Sequence, residues 1–137
     1  MNHDELMQMI LDHYDNPRNY GVISDASVTQ GGGNPSCDDQ IIIYMKIGKD
    51  GVINDISFEG EGCMISMAGT SILLDKIKSA NVSEIEEATP QLIFDLFGKK
   101  IVKTRPRCAH LALNTLKVSV KKWRDAQLLA GIKSGTT

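Results

Sequence analysis

The chain has 137 residues, formal net charge −2, 42% hydrophobic and 5% aromatic residues and three cysteines, so a single domain with a core of aliphatic and methionine side chains is expected over 1–137. It contains no run of eighteen apolar residues, and "MNHDELMQMI" carries acids where a secretory leader would carry lysines, which excludes a membrane helix and points to a cytoplasmic, reducing setting. The charge is divided: 16 of the 17 acids lie in residues 1–98 and 10 of the 15 bases in 99–137. That basic end lacks the interleaved aromatics of a base-stacking surface, so a protein partner with an acidic face suits it at least as well as nucleic acid; no nucleic-acid or membrane partner is expected.

Asp4 to Tyr14 places Leu6, Ile10 and His13 or Tyr14 at helical spacing, and Pro17 disfavours a helical Asn16, predicting a short amphipathic first helix. "SVTQGGGNPS" reads as one brief strand followed by a flexible loop of three glycines and an Asn-Pro turn. Ile41, Ile43, Met45 and Ile47 then alternate with Ile42, Tyr44 and Lys46. "GKDG" turns the chain, and "VINDISFEGEG" returns with Ile56 and Phe58 on one face, the pattern of an antiparallel hairpin.

"CMISMAGTSILLDKIKSA" reads as a helix, and Ser83 with Glu86 suggests a capping box for a further short one. Thr89 to Phe97 adds a turn or two that Gly98 stops. From Pro106, residues Ala109, Leu113, Leu116, Val120 and Trp123 share one face of a long last helix. Asn114, Lys117, Lys121 and Arg124 lie largely opposite, and residues from about 130 to 137 form a flexible tail.

Cys37, Cys63 and Cys108 are separated by 25 and 44 residues. That is neither a disulfide framework nor a paired zinc-finger spacing, so free thiols are expected. Each falls at a boundary between elements, where three segments can converge. With Asp39 they offer three sulfurs and one oxygen to a thiophilic metal, zinc or iron. The bland alternative is that a free cysteine is a small buried hydrophobe; the glycines and carboxylates around Cys37 and Cys63 weigh against it. Cys108, in a first helical turn beside Arg105 and Arg107, is expected to have a favoured thiolate. His110 lies two positions from Cys108, about 200° around a helix, and is read as a surface or interface residue.

Four segments resemble the NifU N-terminal, IscU and SufU family of iron-sulfur cluster assembly proteins: "HYDNPRNYG", "GNPSCDDQI", "FEGEGCMIS" and "RPRCAHLAL". The resemblance implies an α+β fold, a three-stranded antiparallel sheet packed by helices with a long C-terminal helix, and the cysteines gathered at one exposed end. It implies a scaffold rather than an enzyme, one that accepts sulfur from a cysteine desulfurase, builds a transient [2Fe-2S] cluster on Cys37, Asp39, Cys63 and Cys108, and passes it to apo-proteins. Zinc at the same four ligands in a SufU-type sulfurtransferase is the alternative. The sulfur acceptor is Cys37 by the SufU resemblance and Cys108 by the IscU resemblance.

Departures from the family pattern are informative. Arg107 stands where the IscU branch has histidine, and the "LPPVK" segment by which that branch engages a dedicated chaperone is absent at "VKTRPR", so chaperone docking is not expected. The SufU branch carries an insertion between the second and third cysteines for which 44 residues leave no room. Asp38 replaces the family's glycine between the first cysteine and the aspartate; aspartate tolerates positive φ better than most residues, and Asp39 is the expected ligand.

Overall fold

The computed structural model describes residues 2–34 and 39–135. The elements in chain order are α1 (His3–Asp15), β1 (Val28–Asn34), β2 (Asp39–Ile47), β3 (Ile53–Glu61), α2 (Met64–Ile77), α3 (Val82–Glu87), α4 (Pro90–Thr104) and α5 (Pro106–Gly135). The strands form one antiparallel sheet in the order β1-β2-β3, the α+β architecture expected from the sequence.

Alternation along β2 buries Ile41, Ile43, Met45 and Ile47 and leaves Gln40, Ile42 and Lys46 exposed, because successive strand side chains point to opposite faces. Ile43 lies opposite Phe58 and Met45 opposite Ile56, so one face of the sheet is the floor of the core. Two helices cover it. α2 is buried from Ser66 through Leu74 and packs on α1, β3 and α5. α5 crosses β1 and β2 and also meets α2, α3 and α4, burying Ala109, Leu113, Leu116, Val120 and Trp123 as its periodicity requires.

Three local readings need correction. Gly31, Gly32 and Gly33 belong to β1, paired with Ile42, Ile41 and Gln40, rather than to a loop. A Cβ at Gly32 would lie 1.9 Å from Thr115 Oγ1, so the glycine lets α5 approach the strand, a tertiary requirement that overrides poor strand propensity. The capping box uses Asn81 and Glu84, two residues before the expected pair: Asn81 accepts the Ser83 N–H, and the Glu84 side chain accepts the Asn81 N–H. Gly98 does break its helix, at φ 77° and ψ 156°, but the chain resumes helical geometry to Thr104.

The motif at His13 to Gly21 ties α1 to the body. The Ser71 hydroxyl accepts the Arg18 backbone N–H at 2.8 Å and lies 2.8 Å from His13 Nδ1, while the Gly21 N–H donates to the Phe58 carbonyl. His13 is thus a packing residue of the turn. Among the described residues no helix is long and apolar enough to cross a membrane.

Candidate metal centre

Asp39 opens β2, Cys63 is the N-cap of α2 and Cys108 lies in the first turn of α5. One oxygen of Asp39 and the two sulfurs lie within 4.8 Å of one another, so three segments far apart in sequence meet at one end of the fold. Both cysteines are free thiols. Cys37 and Asp38 fall outside the described residues.

The carboxylate of Asp39 is held by three donors. Oδ1 accepts the Cys63 backbone N–H at 2.8 Å; Oδ2 accepts the Ser66 hydroxyl at 2.5 Å and the Cys108 thiol at 3.0 Å. Oδ2 also lies 3.9 Å from Cys63 Sγ. Asp39 is 1% exposed, and burial alone would raise its pKa; the hydrogen bonds from Ser66, Cys108 and Cys63 outweigh burial and hold the carboxyl below its usual range. Gly62 makes this possible, since a Cβ there would stand 2.4 Å from Oδ1.

The two thiols are differentiated by their surroundings. Burial pushes Cys63 up, but hydrogen bonds from the Ser66 side chain and backbone, and from Cys108, carry it below the ordinary thiol value. Its place as the N-cap of α2, where the Ser66 backbone N–H points at the sulfur, contributes to that direction. Cys108 goes the other way: burial first, then its hydrogen bond to Asp39, push it up to about 12. The expectation that Arg105 and Arg107 would favour its thiolate is therefore corrected. Both arginines are exposed while Cys108 is 3% exposed, and a carboxylate in direct contact outweighs two solvated cations.

A tetrahedral ion about 2.3 Å from sulfur and about 2.0 Å from oxygen sets its ligand atoms about 3.5 to 3.8 Å apart. The separations of 3.0 and 3.9 Å between Oδ2 and the two sulfurs bracket that value, and two soft donors with one hard donor suit zinc or iron. His110 is outside the group. It is half-buried against α4, its ring edge-on to Phe94 with centroids 6.2 Å apart, and burial lowers its pKa. Two supporting residues escaped the sequence reading, Ser66 and Gly62. The three-residue step from Cys63 to Ser66, matching an N-cap and its N3 partner, was the available signal for the first.

The NifU-like N terminal domain family matches residues 5–130. The chain belongs to that family. Among curated relatives, the iron-sulfur cluster assembly scaffold protein IscU of Thermotoga maritima is 36% identical over 131 residues, covering 84% of this chain and 92% of that one. The zinc-dependent sulfurtransferase SufU of Bacillus subtilis is 47% identical over 75 residues, 55% of this chain and 50% of SufU. Among solved structures, a candidate iron-sulfur cluster assembly scaffold for the SUF system from Fervidobacterium islandicum superposes with TM-score 0.70 at 26% identity, covering 82% of this chain and 94% of its own. A NifU-like N-terminal structure from Brucella abortus gives TM-score 0.75 at 16% identity over 89% and 96% of the two chains, a likeness of fold. Membership of the NifU-like N terminal family thus accords with both the sheet order and the long last helix.

Proposed function

We propose that this chain is an iron-sulfur cluster assembly scaffold that takes sulfur from a cysteine desulfurase, holds a nascent [2Fe-2S] cluster as cargo and hands it to apo-proteins in the cytoplasm. The observation that carries the reading is the convergence of Asp39, Cys63 and Cys108 within 4.8 Å in a member of the NifU-like N terminal family. Cys37, two residues before Asp39 in the sequence, is the fourth ligand of this reading.

The donor set suits cargo that must leave. Asp39 offers oxygen where a permanent cage would offer a fourth thiolate, and an oxygen donor is the weaker partner for a thiophilic ion. Asp39 Oδ2 accepts the Cys108 thiol hydrogen bond, so a thiol protonated as cargo departs would have a partner. Loading requires that proton to leave, and release restores it. The chain's own chemistry is therefore proton bookkeeping at Cys108 and thiolate exchange at the sulfurs.

Cys37 and Cys108 are the candidate sulfur acceptors. Incubation of the reduced full chain with a desulfurase and cysteine, followed by intact-mass and peptide mapping, identifies the acceptor by a mass gain of one sulfur on a single cysteine. Loss of the gain in Cys37→Ser or in Cys108→Ser assigns it, and a protein that never gains sulfur contradicts the proposal. The local 47% identity to SufU favours, as the second reading, a zinc-dependent sulfurtransferase with the same four ligands. Metal analysis of protein purified without oxygen separates the two.

A further inference from the structure

We propose that Ser66 is a positioning residue of this site that acts through Asp39, its hydroxyl fixing which carboxylate oxygen faces the two sulfurs. The inference rests on the reading that Asp39, Cys63 and Cys108 hold the metal.

The two oxygens of Asp39 have different partners. Oδ1 is tied to the start of α2 by the Cys63 N–H at 2.8 Å. Oδ2 is the oxygen near the sulfurs, 3.0 Å from Cys108 and 3.9 Å from Cys63, and it accepts the Ser66 hydroxyl at 2.5 Å. Of the two donors to Oδ2, Cys108 gives up its proton when its sulfur binds a metal. Ser66 carries no ligand role and keeps its hydrogen on the carboxylate in both states.

The hydroxyl touches both the carboxylate, at 2.5 Å, and Cys63 Sγ, at 3.5 Å, and the far shorter contact is the one to Asp39. The α2 N-terminus is capped by Cys63 Sγ, which accepts the Ser66 backbone N–H, and the Thr70 side chain bonds the Ser66 backbone carbonyl; neither contact uses Ser66 Oγ. The side chain is 1% exposed, so its alternatives to Asp39 are few; the nearest is Cys63 Sγ at 3.5 Å. A hydroxyl aimed at a ligand carboxylate orients it and tempers its basicity, and loss of such a partner typically costs about 10- to 100-fold in metal affinity.

The test is anaerobic titration of the reduced, full-length metal-free protein with cobalt(II), following thiolate-to-cobalt charge-transfer and ligand-field absorption, with a chelator competing to set the affinity. Ser66→Ala is expected to weaken cobalt binding about tenfold and shift the ligand-field bands, while Ser66→Thr, which restores the hydroxyl, binds within about twofold of wild type. On an Asp39→Ala background, Ser66→Ala is expected to change nothing further. Wild-type affinity and spectrum in Ser66→Ala would overturn the inference, as would an equal loss on the Asp39→Ala background, since the hydroxyl would then act through Cys63 or the fold. Thermal unfolding of each metal-free variant checks folding, and the Thr and Val substitutions, alike in shape but differing in the hydroxyl, repeat the comparison if Ser66→Ala is unfolded. Absence of the charge-transfer band in wild type, or its survival in Cys63→Ser with Cys108→Ser, would instead contradict the metal-site reading itself.

Discussion

Gly62 is the space in which the Asp39 carboxylate sits: a Cβ on Gly62 would lie 2.4 Å from Oδ1 and 3.0 Å from Cγ. Asp39 is buried and tied to Ser66, Cys63 and Cys108, so it cannot swing aside without losing those bonds. Gly62→Ala is expected to destabilise the metal-free protein by about 1 to 3 kcal/mol, the usual cost of overpacking a filled site, and to weaken metal binding with it. Urea denaturation and metal titration of the variant check both. Unchanged values would mean that the carboxylate is not pinned as described.

Gly32, paired with Ile41 two residues along β2 from Asp39, and Thr115 make a similar close approach, 1.9 Å from an added Cβ to Thr115 Oγ1. Thr115 is 4% exposed and its hydroxyl bonds the Leu111 carbonyl, so neither partner has room to give. Gly32→Ala should lower stability by about 1 to 3 kcal/mol by prising α5 from β1. A urea midpoint equal to wild type would contradict this packing.

The folded-state pKa of His13 is lowered, first by burial and then by the nearby Arg18 charge. The neutral ring is the favoured native form, with Nδ1 2.8 Å from the Ser71 hydroxyl. The unfolded chain, titrating near the ordinary imidazole value of 6.5, then binds more protons than the native state between the lowered value and 6.5. This contribution to stability is complete above pH 6.5 and declines as pH falls below it. His110, also lowered by burial, acts in the same direction. The wild-type urea midpoint should therefore fall on going from neutral to mildly acid pH more than that of His13→Gln; equal falls would show that His13 is not held neutral.

Three cations of the basic end have partners within the chain. Arg124 forks onto Glu86, Lys121 meets Asp125, and Lys122 donates to the Thr29 carbonyl at the edge of β1. Exposed pairs of this kind contribute about 0 to 1 kcal/mol each. Replacing Lys121, Lys122 and Arg124 together by alanine is expected to cost little stability and to leave sulfur acceptance intact, whereas Cys37→Ser abolishes cluster loading. Loss of sulfur acceptance in the triple variant would make this face a docking surface for the sulfur donor.

Much of the fold was legible because its signals are periodic and local. Ile41, Ile43, Met45 and Ile47 announce a half-buried strand, and Ala109 through Trp123 announce a helix with one covered face. Legibility fails where a distant element decides. Gly31 to Gly33 read as a loop because glycine is a poor strand former, and only the approach of Thr115 from α5 explains a glycine there. Cys63 and Cys108 were legible as convergent thiols from their place at element boundaries. The ionisation of Cys108 was not, because Asp39 is 69 residues away in sequence and its contact outweighs the adjacent arginines. Ser66 was hidden for the same reason, its partner lying across the site.

The most direct test of the scaffold account is anaerobic reconstitution of the reduced protein with ferrous iron, cysteine, a desulfurase and an excess of thiol reductant to bring the delivered sulfur to sulfide, followed by addition of an apo-ferredoxin. The account predicts a [2Fe-2S] absorption spectrum on this chain, lost in Cys63→Ser and Cys108→Ser, that decays as the ferredoxin acquires its own. A tightly held zinc ion that iron cannot displace, with sulfur transfer intact and no cluster formed, would contradict it.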